Sequence, residues 1–159
     1  MGKRLEKACD YDYSASGIPV VLVGFTGKRG DGDVVIANVN VLHRLLAEAV
    51  ATKPGCLDGP ELKFLRSEQG LDRTQMAELV NLPSETIDRL EKEGFVTNRS
   101  LGCDYIYRIL AFAYLGIPIP AIKDIIGWAT FWHGRTTYYV DASDPENYRL
   151  TGSLVSGSL

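Results

Sequence analysis

Cysteine is scarce in this chain and poorly placed for chemistry: Cys9, Cys56 and Cys103 are widely separated, and no C-x-x-C pair occurs. An odd, scattered set argues against a disulfide framework and against a zinc cage, and suits a reducing, cytoplasmic setting. Histidine is scarcer still. His43 and His133 lie far apart with no neighbouring acid or nucleophile signature, so neither a metal site nor an enzyme is expected, and no cofactor is called for. Long apolar runs are missing too. The longest charge-free stretch of the apolar region, residues 109–122, is interrupted by Pro118 and Pro120 and is too short to cross a bilayer. Residues 1–17, MGKRLEKACDYDYSASG, carry basic residues with no apolar core behind them, so no secretory signal is expected. Strong charge of either sign is also absent, the net being −3.

What is present is a 45% apolar chain of 159 residues, enough for one compact domain or two small ones. Residues 18–25, IPVVLVGF, form a short β-branched run that reads as a buried strand, with GDVVIAN at 32–38 as its partner. Gly27 to Gly32 would connect them as a hairpin turn. Glycines at 24, 27, 30 and 32 suggest a phosphate loop, but no Gly-Lys-Ser/Thr follows and no helix begins there. Val41, Leu42, Leu45, Leu46, Ala49 and Val50 recur at helical spacing, which predicts a helix over 40–51. The segment TKPGCLDG breaks it.

Residues 71–93, LDRTQMAELVNLPSETIDRLEKE, read as two short helices and a tight turn. The first would run from Arg73 to about Val80, capped by Asp72, and bury Met76, Ala77, Leu79 and Val80. Asn81 tolerates the left-handed conformation that such a turn requires. The second would open near Pro83 or Ser84 and bury Ile87 and Leu90. Further on, Ser100 is placed to cap a helix over 101–115 that stops at Gly116, and Pro120 to open another over about 119–132. Residues 136–141, TTYYVD, suggest a strand. Residues 141–159 read as a turn followed by a small-residue tail without structure. The regions expected are 1–55, 56–134 and 135–159.

The run L-D-R-x-Q-M-A-E-L-V-N-L-P-x-x-T-I-D-R-L-E-K-E, from Leu71 to Glu93, resembles the helix-turn-helix of lambda-repressor-like (XRE) regulators, and GPELKFLRSEQG at 59–70 resembles that family's first helix. The front part, YDYSASGIPVVLVGF with LHRLL and LDGPELKFLR, resembles regulators related to MqsA-type antitoxins. Their paired zinc-binding cysteines have no counterpart here, so the metal does not carry over. Together the resemblances imply an α+β chain: a small N-terminal β-hairpin plus helix, then a five-helix lambda-repressor-like bundle. They imply that the second helix of the motif enters the DNA major groove, with Ser84, Glu85 and Arg89 reading bases and Thr86 near a phosphate. Arg73 would contact phosphate, and Thr74, Pro83 and Asp88 complete the expected face, helped by Lys28 and Arg29 at the hairpin tip. Arg66 and Glu91 are implied as a structural pair joining the first helix to the recognition helix.

One number opposes this reading. Residues 57–95 hold five Lys and Arg against nine Asp and Glu, where a DNA-binding face should be positive. Asp72 is a cap, Glu91 is implied to be paired, and Glu61 and Glu68 lie on the first helix, away from the groove. Glu85 and Asp88 stay on the recognition helix. The resemblance implies a transcriptional repressor, and the acidic motif adds the expectation that it needs a homodimer to read a palindromic operator in double-stranded DNA, with half-sites about one helical turn apart. Two other readings stand beside it: an antitoxin that binds a toxin and represses its own operon, and a protein-interaction module that keeps the fold without DNA.

Overall fold

The computed structural model describes residues 8–27, 33–92, 101–130 and 135–156. The architecture is α+β, with six α-helices and a four-stranded sheet among those residues. The strands are β1 (Cys9–Asp12), β2 (Val20–Phe25), β3 (Arg135–Asp141) and β4 (Arg149–Ser156), lying side by side in that order. The helices are α1 (Val39–Thr52), α2 (Gly59–Glu68), α3 (Arg73–Val80), α4 (Ser84–Lys92), α5 (Leu101–Leu115) and α6 (Ile122–Thr130).

The sheet is where the sequence expectation fails. The run at 18–25 does form a strand, but its partners are β1, antiparallel, and β3, parallel. Of the expected partner at 32–38, residues 33–38 are described and supply no strand; within them only Val34 forms an isolated bridge. Instead the segment crosses towards the β3–β4 connection: Asn38 Nδ2 donates to the Pro145 carbonyl at 3.0 Å, and the Tyr148 hydroxyl donates to the Ala37 carbonyl at 2.5 Å. β1 escaped sequence reading because CDYD is short and carries alternating acids, which suit a solvated edge better than a buried run. The tail expected to lack structure is strand β4 as far as Ser156, paired along β3 from Arg135↔Ser156 to Asp141↔Arg149. Strands from the first and last of the three expected regions thus share one sheet.

Alternation explains which face is covered. β3 buries Thr136, Tyr138 and Val140 and leaves Thr137, Tyr139 and Asp141 half-exposed, the period of two that puts successive side chains on opposite faces. Of those inward residues, Tyr138 and Val140 join Val20, Leu22 and Phe25 of β2 in a core continuous with Leu42, Leu46 and Val50 of α1 and Leu62 and Leu65 of α2. Met76, Ile87, Tyr107 and Phe112 extend the same core through α3, α4 and α5.

Helix boundaries follow their caps. Asp58 accepts from the Glu61 backbone at 2.9 Å while Glu61 reaches back to the Asp58 N–H, a reciprocal box that satisfies two otherwise orphaned donors. Asp72 and Gln75 build the same box on α3 at 2.8 Å each way. α6 begins at Ile122, later than the start expected near Pro120, because residues 117–121, with Pro118 and Pro120, precede it without regular secondary structure. Gly116 has φ +69 at the end of α5, the left-handed stop its sequence position suggested.

Candidate functional site

α3 and α4 form the unit the sequence singled out. α3 buries Met76 and Ala77 while Leu79, on its outer side, is 53% exposed; it was expected in the core. Asn81 takes φ 54 and ψ 48 immediately after α3, and its N–H closes the helix on the Glu78 carbonyl. Asparagine adopts this left-handed geometry at less cost than other side chains bearing a Cβ. Leu82 is half-buried and Pro83 exposed, and the Pro83 carbonyl accepts from the Thr86 and Ile87 N–H groups as the first turn of α4. α4 buries Ile87, Leu90 and Glu91.

Arg66 and Glu91 meet as the resemblance implied. Arg66 Nε donates to Glu91 Oε1 at 2.6 Å and Nη2 donates to Oε2 at 2.8 Å, a two-pronged contact that fixes α2 against α4 in both distance and orientation. Arg66 Nη1 also donates to the Leu71 carbonyl at 2.8 Å. The Glu91 carboxylate holds the Arg66 guanidinium above its ordinary value.

The charged face of α4 is less repulsive than its composition suggests. Arg73 Nη1 lies 2.9 Å from Asp88 Oδ1, and its Nε is 3.7 Å from Glu91 Oε2. Lys92 donates to Asp88 Oδ2 at 2.6 Å, one helical turn on. Those two cations hold the Asp88 carboxyl below its usual range, the Lys92 hydrogen bond contributing most. Arg73, assigned by resemblance to a phosphate, bridges α3 to α4 through Asp88. Thr74, Pro83 and Ser84 come together around a shallow depression with Ala77, Glu78, Asn81 and Leu82. Glu85 and Arg89 are exposed on α4, and Thr86 is half-buried. Lys28 and Arg29 lie outside the described residues.

Three ionic clusters behind this face escaped sequence reading, because each joins residues distant in the chain or hidden in a helix. Glu61, expected on the first helix away from the groove, is 1% exposed. It accepts from Lys53 Nζ at 2.5 Å and from the Tyr138 hydroxyl at 2.8 Å, locking the end of α1, the start of α2 and β3 together. Arg108, fully buried in α5, donates to Asp104 at 2.6 Å and to the carbonyls of Ala51, Lys53 and Gly55. Its i,i+4 spacing from Asp104 within an apolar helix was the one available signal. The third cluster corrects the expectation that His43 has no acid beside it. His43 Nδ1 is 2.6 Å from Glu68 Oε1, and Nε2 is 2.6 Å from the Tyr13 hydroxyl. An ionised carboxylate only accepts, so in neutral His43 the proton sits on Nδ1 and Nε2 accepts from Tyr13.

Burial pushes Glu61 up to about 7, against the downward pull of Lys53. A carboxyl ordinarily near 4.5 therefore takes up a proton on folding anywhere between those values. The stability contributed by this protonation is full below the lower value and is lost as pH rises through the upper one. Wild type should lose on the order of 3 kcal/mol more than Glu61→Gln between about pH 5 and pH 8. Urea unfolding of the two proteins across that range checks it, and parallel pH profiles would sink the idea.

Among the described residues no group of three or more His, Cys, Asp or Glu is arranged to hold a metal ion. No helix among them is long and apolar enough to cross a membrane. Compared with known proteins, the chain matches no family model, no curated protein and no solved structure.

Proposed function

We propose that this chain is a sequence-specific DNA-binding transcriptional regulator, a repressor related to the lambda-repressor-like family, that acts as a dimer on a palindromic operator. The observation that carries the reading is the α3–α4 unit. Its two helices are capped, joined through a left-handed Asn81 and fixed by the Arg66–Glu91 pair, so that the start of α4 is held rigidly at the surface. A short helix presented in this way suits a major groove, which admits one helix and offers a distinct donor and acceptor pattern at each base pair.

Ser84, Glu85 and Arg89 are the proposed base readers, with Thr86 the proposed phosphate neighbour and Thr74 on the same face. Neutralising Asp88 with Arg73 and Lys92 removes one objection to an anionic partner. It also diverts Arg73 from the phosphate contact that the family resemblance gives it. Removing one two-pronged arginine–guanine contact costs about 1–3 kcal/mol of discrimination. Arg89→Ala should therefore weaken operator binding by roughly 5- to 150-fold per half-site while the fold is kept. A gel shift and footprint on the DNA upstream of the coding region reads this directly. Protection of an inverted repeat by wild type and its loss in the variant supports the proposal; no wild-type binding at low salt, where phosphate contacts are strongest, overturns it.

One observation favours a second reading, in which the same chain also binds a protein, as an antitoxin binds its toxin. Tyr114, Ile119, Ile122 and Ile126 are exposed by 49%, 51%, 65% and 39% at the junction of α5 and α6. Several exposed apolar side chains within one short stretch of chain suit a protein-binding surface.

A further inference from the structure

The two outer strands of the sheet are protected very differently. β1 is four residues long, carries Asp10 and Asp12, and is irregular between Cys9 and Tyr11. Shortness, charge and a bulge each deter an edge strand from pairing with another chain. β4 is eight residues long and has neither charge nor proline from Leu150 to Ser156. Its irregularity lies opposite Tyr139 and Val140, which leaves residues 152–156 in regular register with β3. One backbone edge of β4 is taken by β3, and among the described residues no strand pairs with the other. Leu154 is 59% exposed beside that edge.

We propose that the outer edge of β4 is a dimer interface, where two copies of the chain pair residues 152–156 antiparallel and extend the sheet from four strands to eight. The occupant follows from symmetry and charge. A two-fold axis normal to the sheet near Ser153 or Leu154 keeps each side chain on its own face and sets the two Leu154 side chains close together. Like charges opposed across strands would destabilise such a pair, and residues 150–156 carry none. Arg149, the strand's one charged residue, lies outside the paired segment. A neutral edge therefore accepts its own copy without penalty, whereas the acidic β1 would repel itself. The inference rests on the repressor reading only for the use of the dimer, because the pairing itself involves no DNA.

The test is the mass of the full chain in solution, measured by light scattering after size exclusion over a concentration series. Wild type should be a dimer. Leu154→Lys, which places a charge at an exposed edge position, should raise the dimer dissociation constant at least tenfold with an unchanged circular dichroism spectrum. Should that variant fail to fold, Ser153→Lys supplies the same test at a second exposed position. Ile122→Lys on α6 should leave the dimer intact. A monomeric wild type, a dimer indifferent to both strand variants, or dissociation by Ile122→Lys alone overturns the proposal. A dimer that dissociates as expected, in a protein that shifts no operator, retains this interface and removes the DNA reading.

Discussion

Arg108→Met is expected to destabilise the protein by about 3–5 kcal/mol, because it removes one partner of a buried ion pair and leaves the other uncompensated. Arg108 is fully buried, Asp104 is 1% exposed, and their contact is 2.6 Å. The same guanidinium also satisfies the Ala51, Lys53 and Gly55 carbonyls where the chain leaves α1. Methionine fills much of the volume and supplies none of those donors, so the carbonyls lose their partners together. Asp104 holds the Leu57 N–H at 2.7 Å as well. The double variant Asp104→Leu/Arg108→Met should therefore recover only part of the loss. Urea or guanidinium unfolding measures both; a loss below about 1 kcal/mol in the single variant contradicts the account.

The second large effect belongs to Glu91. Glu91→Leu should cost about 3–5 kcal/mol, since Arg66 is left buried without its anion. The Leu71 carbonyl still accepts from Arg66 Nη1, and Arg73 loses only a distant neighbour at 3.7 Å. Arg66→Met leaves Glu91 with that distant arginine alone, and should be at least as damaging. A double-mutant cycle over the pair isolates their coupling. Coupling under about 0.5 kcal/mol, the range of an exposed pair, would remove the argument that this contact sets the α2–α4 angle.

Local chemistry explains which elements could be read in advance. Asp72, Asn81 and Gly116 specify their neighbours through caps and left-handed backbone, interactions that span a few residues and leave a mark in the sequence. α3, α4 and α5 carry such marks, whereas α1 was legible from the helical spacing of its apolar residues and the strand expected at 136–141 from its β-branched and aromatic run. The sheet was not. Whether β2 pairs with residues 32–38 or with residues on the far side of six helices depends on tertiary contacts, and both candidate partners are short β-branched runs. Tail residues such as Gly152 and Ser153 have little strand propensity of their own and become a strand because β3 offers them a ladder. In the proposed DNA face, the residue types were visible from the beginning. Their pairing was not: Asp88 with both Arg73 and Lys92 is a fact of how α3 crosses α4.

The parallel pairing of Val20–Phe25 with Arg135–Asp141 has a consequence for how the protein is made. All six α-helices among the described residues lie between those strands in the chain. At synthesis rates of about 5–20 residues per second, β2 waits on the order of ten seconds before its central partner exists. The helices from α1 to α5 pack against one another and are all made before β3, so they can assemble in that interval, while sheet closure must overcome the entropy of a long loop and comes last. A ribosome stalled before residue 135 would thus display a β-branched strand with one side unsatisfied. That interval is when the chain is most open to aggregation or to capture by a chaperone.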